Sequence, residues 1–87
     1  MKSSALPEFW ECFKKLPPKA RRIARKNFVL WQKEPTLKSL GFKRIKRDLW
    51  SVRAGSGFRA LATLVEGRYL WFWIGAHDEY ERLLRNL

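Results

Sequence analysis

The stretch WSVRAGSGFRALATLVEGRYLWFWIGAHDEYERLL, residues 50–84, decides the fold. Trp50, Val52 and Ala54 alternate with Ser51 and Arg53, the period of two that sends successive side chains to opposite faces of a half-buried strand. Gly55-Ser56-Gly57 supplies the backbone freedom of a tight loop. The chain then runs largely apolar from Phe58 to Val65, turns at Glu66-Gly67, and returns from Arg68 to Ile74 through YLWFWI. A run that is apolar on both faces marks a strand in the middle of a sheet. In the tail from Asp78 to Leu87, Tyr80, Leu83, Leu84 and Leu87 recur at helical spacing, with Asp78 and Glu79 in the first turn, where a helix favours acid.

Working upstream, Lys46-Arg47-Asp48 is a polar turn, and the segment Gly41–Ile45 before it reads as a first strand with loose alternation. Glu34-Pro35-Thr36 ends a helix, because the residue before a proline is pushed out of the α region. That helix spans Lys19–Lys33 and is opened by Pro18. Ala20, Ile23, Ala24, Phe28, Leu30 and Trp31 share one arc of it, interrupted by Asn27, while Lys19, Arg22, Arg25, Lys26 and Lys33 share the opposite arc. A shorter helix, Leu6–Lys15, precedes it. Ser3 and Ser4 offer N-cap oxygens, Phe9, Cys12, Phe13 and Leu16 form its buried side with Trp10 at the edge, and Leu16-Pro17-Pro18 stops it. The expected class is α+β: two N-terminal helices packed on a mainly antiparallel four-stranded sheet, followed by a short C-terminal helix. The 87 residues suffice for one domain, 1–87, with a single modest core.

Nineteen Lys and Arg against eight Asp and Glu leave a net charge of +11, a surplus that calls for an anionic partner. Nucleic acid, an acidic protein segment and an anionic membrane surface are the candidates. The membrane is the weakest, since the longest apolar run, Tyr69 to Ala76, falls far short of the roughly 20 residues that a span requires. The local cluster Lys43, Arg44, Lys46 and Arg47 has the composition of a phosphate grip that does not read bases. On the second helix, Arg22 and Lys26 serve RNA contact or simple solvation equally well. One cysteine excludes an intrachain disulfide and a zinc cluster, so neither metal nor cofactor is expected, and Cys12 reads as a small core residue. The N-terminus lacks the apolar segment of a secretory signal, which makes the cytoplasm the default setting.

Counting along the hairpins brings the reactive groups together. A three-residue Gly55-Ser56-Gly57 loop sets Ala54 opposite Phe58 and Arg53 opposite Arg59, whereas a two-residue loop puts the arginines on the diagonal; like charges directly across two strands are destabilising unless an anion or a carboxylate relieves them. The Glu66-Gly67 turn sets Val65 opposite Arg68 and therefore Arg59 opposite Ile74, with His77 just past that strand and Tyr80 one helical turn farther. RNA cleavage needs a base for the 2′-hydroxyl, cations for the crowded phosphate and an acid for the leaving oxygen. His77 is the only histidine, and the arginine fork matches phosphate geometry. Taken alone, a histidine at a strand end is more often a surface or capping group, and Tyr80 equally serves to anchor the tail helix by its ring. Trp71 and Trp73, on a shared face, read as core more than as base-stacking platforms.

With the helix, helix, four-strand order, the Leu16-Pro17 break, SVRAGSGFRAL (residues 51–61) and WIGAHDEYERLL (residues 73–84), the chain resembles the RelE/ParE superfamily of toxins from toxin–antitoxin modules. The resemblance spans nearly the whole chain and is most specific at Arg53–Ala60 and Gly75–Glu81. It implies a small toxin held inactive by a cognate antitoxin and, on release, cleaving mRNA in the ribosomal A site without a metal. By position, Arg59 is similar to a phosphate-contacting arginine, Arg53 to a basic residue of the preceding strand, and His77 to an arginine or histidine after the last strand. Two departures stand out: the RelE archetype has more lysines where this chain has Ser51 and Val52, and its catalytic tyrosine lies farther along the tail than Tyr80. The implied function is a ribosome-dependent endoribonuclease in which Arg53, Arg59, His77 and Tyr80 do the chemistry and mRNA and ribosomal RNA are the partners. A ParE-like gyrase inhibitor without catalysis and a non-toxic basic RNA-binding protein remain the alternatives.

Overall fold

The computed structural model describes residues 2–87. The elements run β1 (Ser3–Ala5), α1 (Pro7–Phe13), α2 (Pro18–Lys33), a 3-10 turn (Lys38–Leu40), β2 (Lys43–Lys46), β3 (Leu49–Gly55), β4 (Phe58–Val65), β5 (Arg68–Ala76) and α3 (His77–Arg85). The strands form one sheet in the order β1-β5-β4-β3-β2. Every neighbouring pair is antiparallel except β1 with β5, which is parallel. The class is α+β as expected, with five strands in a mixed sheet where four were predicted.

The additional strand comes from the serines. Ser3 and Ser4 do not cap α1; they pair with Tyr69 and Leu70 of β5, and the ladder continues as Tyr69 N–H to Lys2 O at 2.9 Å and Leu6 N–H to Trp71 O at 2.9 Å. The physical reason is the far edge of β5. A nine-residue apolar strand with that edge open would expose a row of unpaired amides, and the N-terminal segment satisfies part of it. The N-cap place of α1 falls to extended Leu6, and Pro7 occupies the first turn. Between α2 and β2, the 3-10 turn places buried Leu40 and ends at Gly41 in the left-handed region (φ 52°).

Two bulges set the registers. The β3–β4 connection is Ser56-Gly57, and the bulge between Arg53 and Gly55 leaves Ala54 as the extra residue, so Arg53 still faces Arg59. At Gly55 (φ 130°) a Cβ would lie 2.8 Å from Ile23 Cγ2 of α2, so this crossing demands glycine. The Glu66-Gly67 turn has positive φ at both residues, the geometry of a two-residue hairpin. Farther along that hairpin a second bulge inserts Phe72 between Trp71, opposite Ala62, and Trp73, opposite Leu61. Arg59 consequently faces Gly75 and not Ile74. The same shift reverses the parity of β5, so Trp71 and Trp73 lie on opposite faces of the sheet instead of sharing one.

The helix-covered face holds the core. Ala20, Ala24 and Trp31 of α2 pack with Phe13 and Leu16 on Val52, Ala54, Ala60, Ala62, Trp71 and Ile74. The alanines of β3 and β4 leave room for Trp31, which is 1% exposed and meets the rings of Phe42, Tyr69 and Trp71 edge to face at 5.2 to 5.5 Å. Phe28, expected on the buried arc, is 41% exposed, and Cys12 is only half-buried. Among the described residues no helix is long and apolar enough to cross a membrane. Since so many rings converge on Trp31, Trp31→Ala is expected to lower the unfolding free energy by about 3–5 kcal/mol in urea titration. A loss below about 1 kcal/mol would show that the core does not depend on this ring.

Candidate phosphate-binding site

The opposite face of the sheet carries Ser51, Arg53, Arg59, Leu61 and Trp73, partly covered by α3. Arg59 is 6% exposed. Its Nε donates to Ser51 Oγ at 2.9 Å and its Nη2 to Gly41 O at 3.0 Å, and the guanidinium carbon lies 5.1 Å from the centroid of the Tyr80 ring. Ser51 is itself fully buried. The two ion pairs among the described residues are Lys14–Glu11 and His77–Glu81, so neutral oxygen dipoles and an aromatic face meet the Arg59 charge. Burial pushes its pKa below the ordinary arginine value; the Arg53 charge acts in the same direction, and the Tyr80 side chain and the Glu81 charge oppose both.

Arg53 is exposed, and its Nη1 donates to Ser39 O at 2.9 Å. A methyl group placed on Gly41 would sit 3.7 Å from Arg53 Nη2 and 3.7 Å from Arg59 Nη1. Both guanidinium groups therefore gather beside the Gly41 backbone. Two cations brought together without a carboxylate bonded to either attract an anion, and their planar forks fit phosphate oxygens.

His77 opens α3, and its backbone N–H donates to Gly57 O at 2.8 Å, which ties the helix start to the β3–β4 loop. The imidazole is exposed, with Nε2 3.0 Å from Glu81 Oε1 and the ring 5.6 Å from Tyr80. Tyr80 is buried between the Arg59 guanidinium and the imidazole, so Arg59, Tyr80 and His77 form a row. Sequence reasoning missed Ser51, Gly41 and Glu81. Glu81 was within reach, since it follows His77 by one helical turn; Ser51 and Gly41 carry no chemical signal until the fold places them under Arg59.

Strand alternation divides the basic cluster. Lys43 is in register with Ser51 and lies on the site face, whereas Arg44 is in register with Trp50 and lies on the other. Lys46 Nζ donates to Leu87 O at 2.9 Å, and Arg47 occupies the turn with φ 47°. Arg22 and Lys26 are exposed on α2, the layer on the far side of the sheet from Arg59. Among the described residues no group of three or more His, Cys, Asp or Glu is placed to hold a metal ion.

The helix layer has a feature of its own. Between α1, α2 and β1 opens a groove of about 510 Å³ whose walls include Phe9, Trp10, Phe13, Phe28, Val29 and Trp71. Trp10, Phe28 and Val29 are 49%, 41% and 49% exposed, and Arg25 stands in the lining. Large apolar side chains clustered at the surface mark an interaction site more often than a solvated one.

No protein-family model and no curated protein matches the sequence. Solved structures do match in shape. The isolated RelE toxin of E. coli is 16% identical, with 99% of this chain and 98% of that one covered and a TM-score of 0.63. RelE in the RelB–RelE antitoxin–toxin complex of Methanococcus jannaschii is 13% identical, with 91% and 95% covered and a TM-score of 0.70. YafQ of E. coli BL21(DE3) is 7% identical, with 91% and 96% covered and a TM-score of 0.69. Identities this low speak to shape, and over nearly its whole length the chain adopts the RelE toxin fold.

Proposed function

We propose that this protein is the toxin of a toxin–antitoxin module and cleaves mRNA on the ribosome. The observation that carries the reading is the meeting of the Arg53 and Arg59 guanidinium groups beside Gly41, with Tyr80 against Arg59 and His77 against Tyr80. Arg53 grips the scissile phosphate from the solvent side, and Arg59 supplies fixed positive charge from behind. His77 takes the proton of the 2′-hydroxyl. The 2′-oxygen then bonds to phosphorus as the bond to the 5′-oxygen breaks, and the departing oxygen takes a proton from water. The products are a 2′,3′-cyclic phosphate and a free 5′-hydroxyl. Glu81 steadies the imidazolium as it forms, and Tyr80 holds the row in place.

Ribosomal RNA fits the spread of charge. Basic side chains project from α2, from β2 and from the β2–β3 turn, on different sides of the molecule, as suits a protein inserted into a large polyanion. The groove on the helix layer fits the partner that a toxin requires. Its apolar floor and the basic side of α2 suit an antitoxin segment that folds as an amphipathic helix with acidic flanks.

In translating extracts, His77→Ala is expected to reduce transcript cleavage by about 10²- to 10⁴-fold without loss of fold. Uncut transcripts together with a damaged chromosome would point to gyrase instead, and a harmless wild-type protein that cuts nothing would leave RNA binding alone. For the partner, the double variant Trp10→Glu and Phe28→Glu is expected to weaken antitoxin binding by about 30-fold or more in calorimetry. It leaves cleavage by the free toxin intact. Undiminished affinity would remove the groove as the docking surface.

A further inference from the structure

Asn27 interrupts the apolar arc of α2, the arc that packs on the sheet. Ala24 and Trp31, about one turn away on either side, are buried in the core, and Asn27 itself is half-buried. A side-chain amide in that setting costs stability unless it finds a partner. The partner is the backbone of β3: Asn27 Nδ2 donates to Arg53 O at 3.2 Å.

The contact falls at the bulge. Between Arg53 and Gly55 the β3–β4 ladder shifts register, and the extra residue, Ala54, is buried in the core. A bulge bends its strand and re-aims the side chains beside it. Here α2 holds it from both ends. Asn27 binds the carbonyl of Arg53, and Ile23, one helical turn earlier, lies against Gly55. The Arg53 side chain leaves the sheet on the opposite face, where its Nη1 donates to Ser39 O at 2.9 Å. It has to be held, because Arg59 lies directly across the ladder and neither arginine is in an ion pair among the described residues. Repulsion between the two acts on β3 where its ladder is interrupted. Ser39 anchors the tip of the Arg53 side chain, and Asn27 anchors its root.

We propose that Asn27 is a positioning residue: from behind the sheet it fixes the β3 bulge so that the Arg53 guanidinium meets an RNA phosphate, an inference that rests on the reading in which Arg53 grips RNA. Asn27 touches no substrate, since α2 and the arginine side chains occupy opposite sides of the sheet. It acts through Arg53. A carbonyl that loses its donor turns toward water or another partner. The peptide rotation that follows alters ψ at Arg53, and with it the direction in which the side chain leaves the strand. Plain stabilisation of the contact between α2 and β3 is the rival role, and it would not single out Arg53.

The probe is a uridine RNA hexamer methylated at every 2′-oxygen, which binds without being cut. Asn27→Ala and Asn27→Leu are compared, the second because it completes the apolar arc with a side chain of similar volume. Each is expected to weaken hexamer binding about 3- to 10-fold, the effect of one hydrogen bond. In an Arg53→Ala background, itself about 10-fold or more weaker, neither substitution is expected to weaken binding further. The Arg53 Nε–H resonance, identified in ¹⁵N spectra by its loss in Arg53→Ala, is expected to move in both variants without RNA. Wild-type affinity in Asn27→Leu, an unmoved Arg53 signal, or an effect that persists undiminished in the Arg53→Ala background would each overturn the proposal and leave Asn27 a structural contact. Arg53→Ala that binds as tightly as wild type would remove the grip of Arg53 on phosphate and the proposal with it. Transcripts left uncut by the wild type, with the cycle as expected, would discard the nuclease reading and keep Asn27 in its role.

Discussion

A guanidinium charge buried in a sheet with no carboxylate bonded to it is the constraint around which the rest of this structure is arranged. Removing such a charge from water costs several kcal/mol unless hydrogen bonds and nearby dipoles replace the lost hydration. Around Arg59 that replacement comes from three separate parts of the chain: the Ser51 hydroxyl on the neighbouring strand, the Gly41 carbonyl at the end of the 3-10 turn, and the Tyr80 ring on α3. Holding one arginine therefore fixes the path between α2 and β2 and gives the closing helix a seat. Arg53 lies directly opposite and adds its repulsion. A net surplus of positive potential thus persists at one end of the sheet, where an arriving anion would relieve it.

The sheet separates two kinds of surface. One face is apolar and takes the two helices, with small alanines under α2 and the large rings of Trp31, Trp50, Tyr69 and Trp71 filling the space between. The indole N–H groups of Trp31, Trp50 and Trp71 are buried with no hydrogen-bond partner, in a cluster of edge-to-face contacts where the positive edge of one ring meets the negative face of another. The other face is polar and holds the arginines, the tyrosine and the start of α3. The single-residue bulge at Phe72 makes the division work on β5, because it sends Trp71 into the core and Trp73 to the site face. The two sides of one small sheet therefore present surfaces of different chemistry.

Much of this was legible in the sequence because hairpins are local. The turn at Glu66-Gly67 and the glycines around Ser56 restrict the pairing of adjacent strands, so the meeting of Arg53 with Arg59 could be counted from the loops. The route differed: a two-residue loop with a bulge at Ala54 gives the register that a three-residue loop would give. At the Phe72 bulge the same counting slipped by one residue, since a bulge adds no turn residue to reveal it and serves packing on both faces. Burial was harder still. Arg59 reads as an accessible phosphate ligand until Tyr80 is found above it.

What the sequence by itself determined is the order of the elements, the α+β class, the strongly basic character and the local pairing of β3 with β4. These follow from hydrophobic period, proline and glycine placement, and charge count, all of them properties of neighbouring residues. The tertiary structure alone decided that the first residues form a parallel edge strand on β5, more than sixty positions away in the chain. It also decided that strand alternation scatters the Lys43–Arg47 cluster across two faces, and that the two guanidinium groups gather beside Gly41. Each of these depends on which distant backbone lies alongside. That choice is made by burial of the shared core and by the need to pair every exposed strand edge.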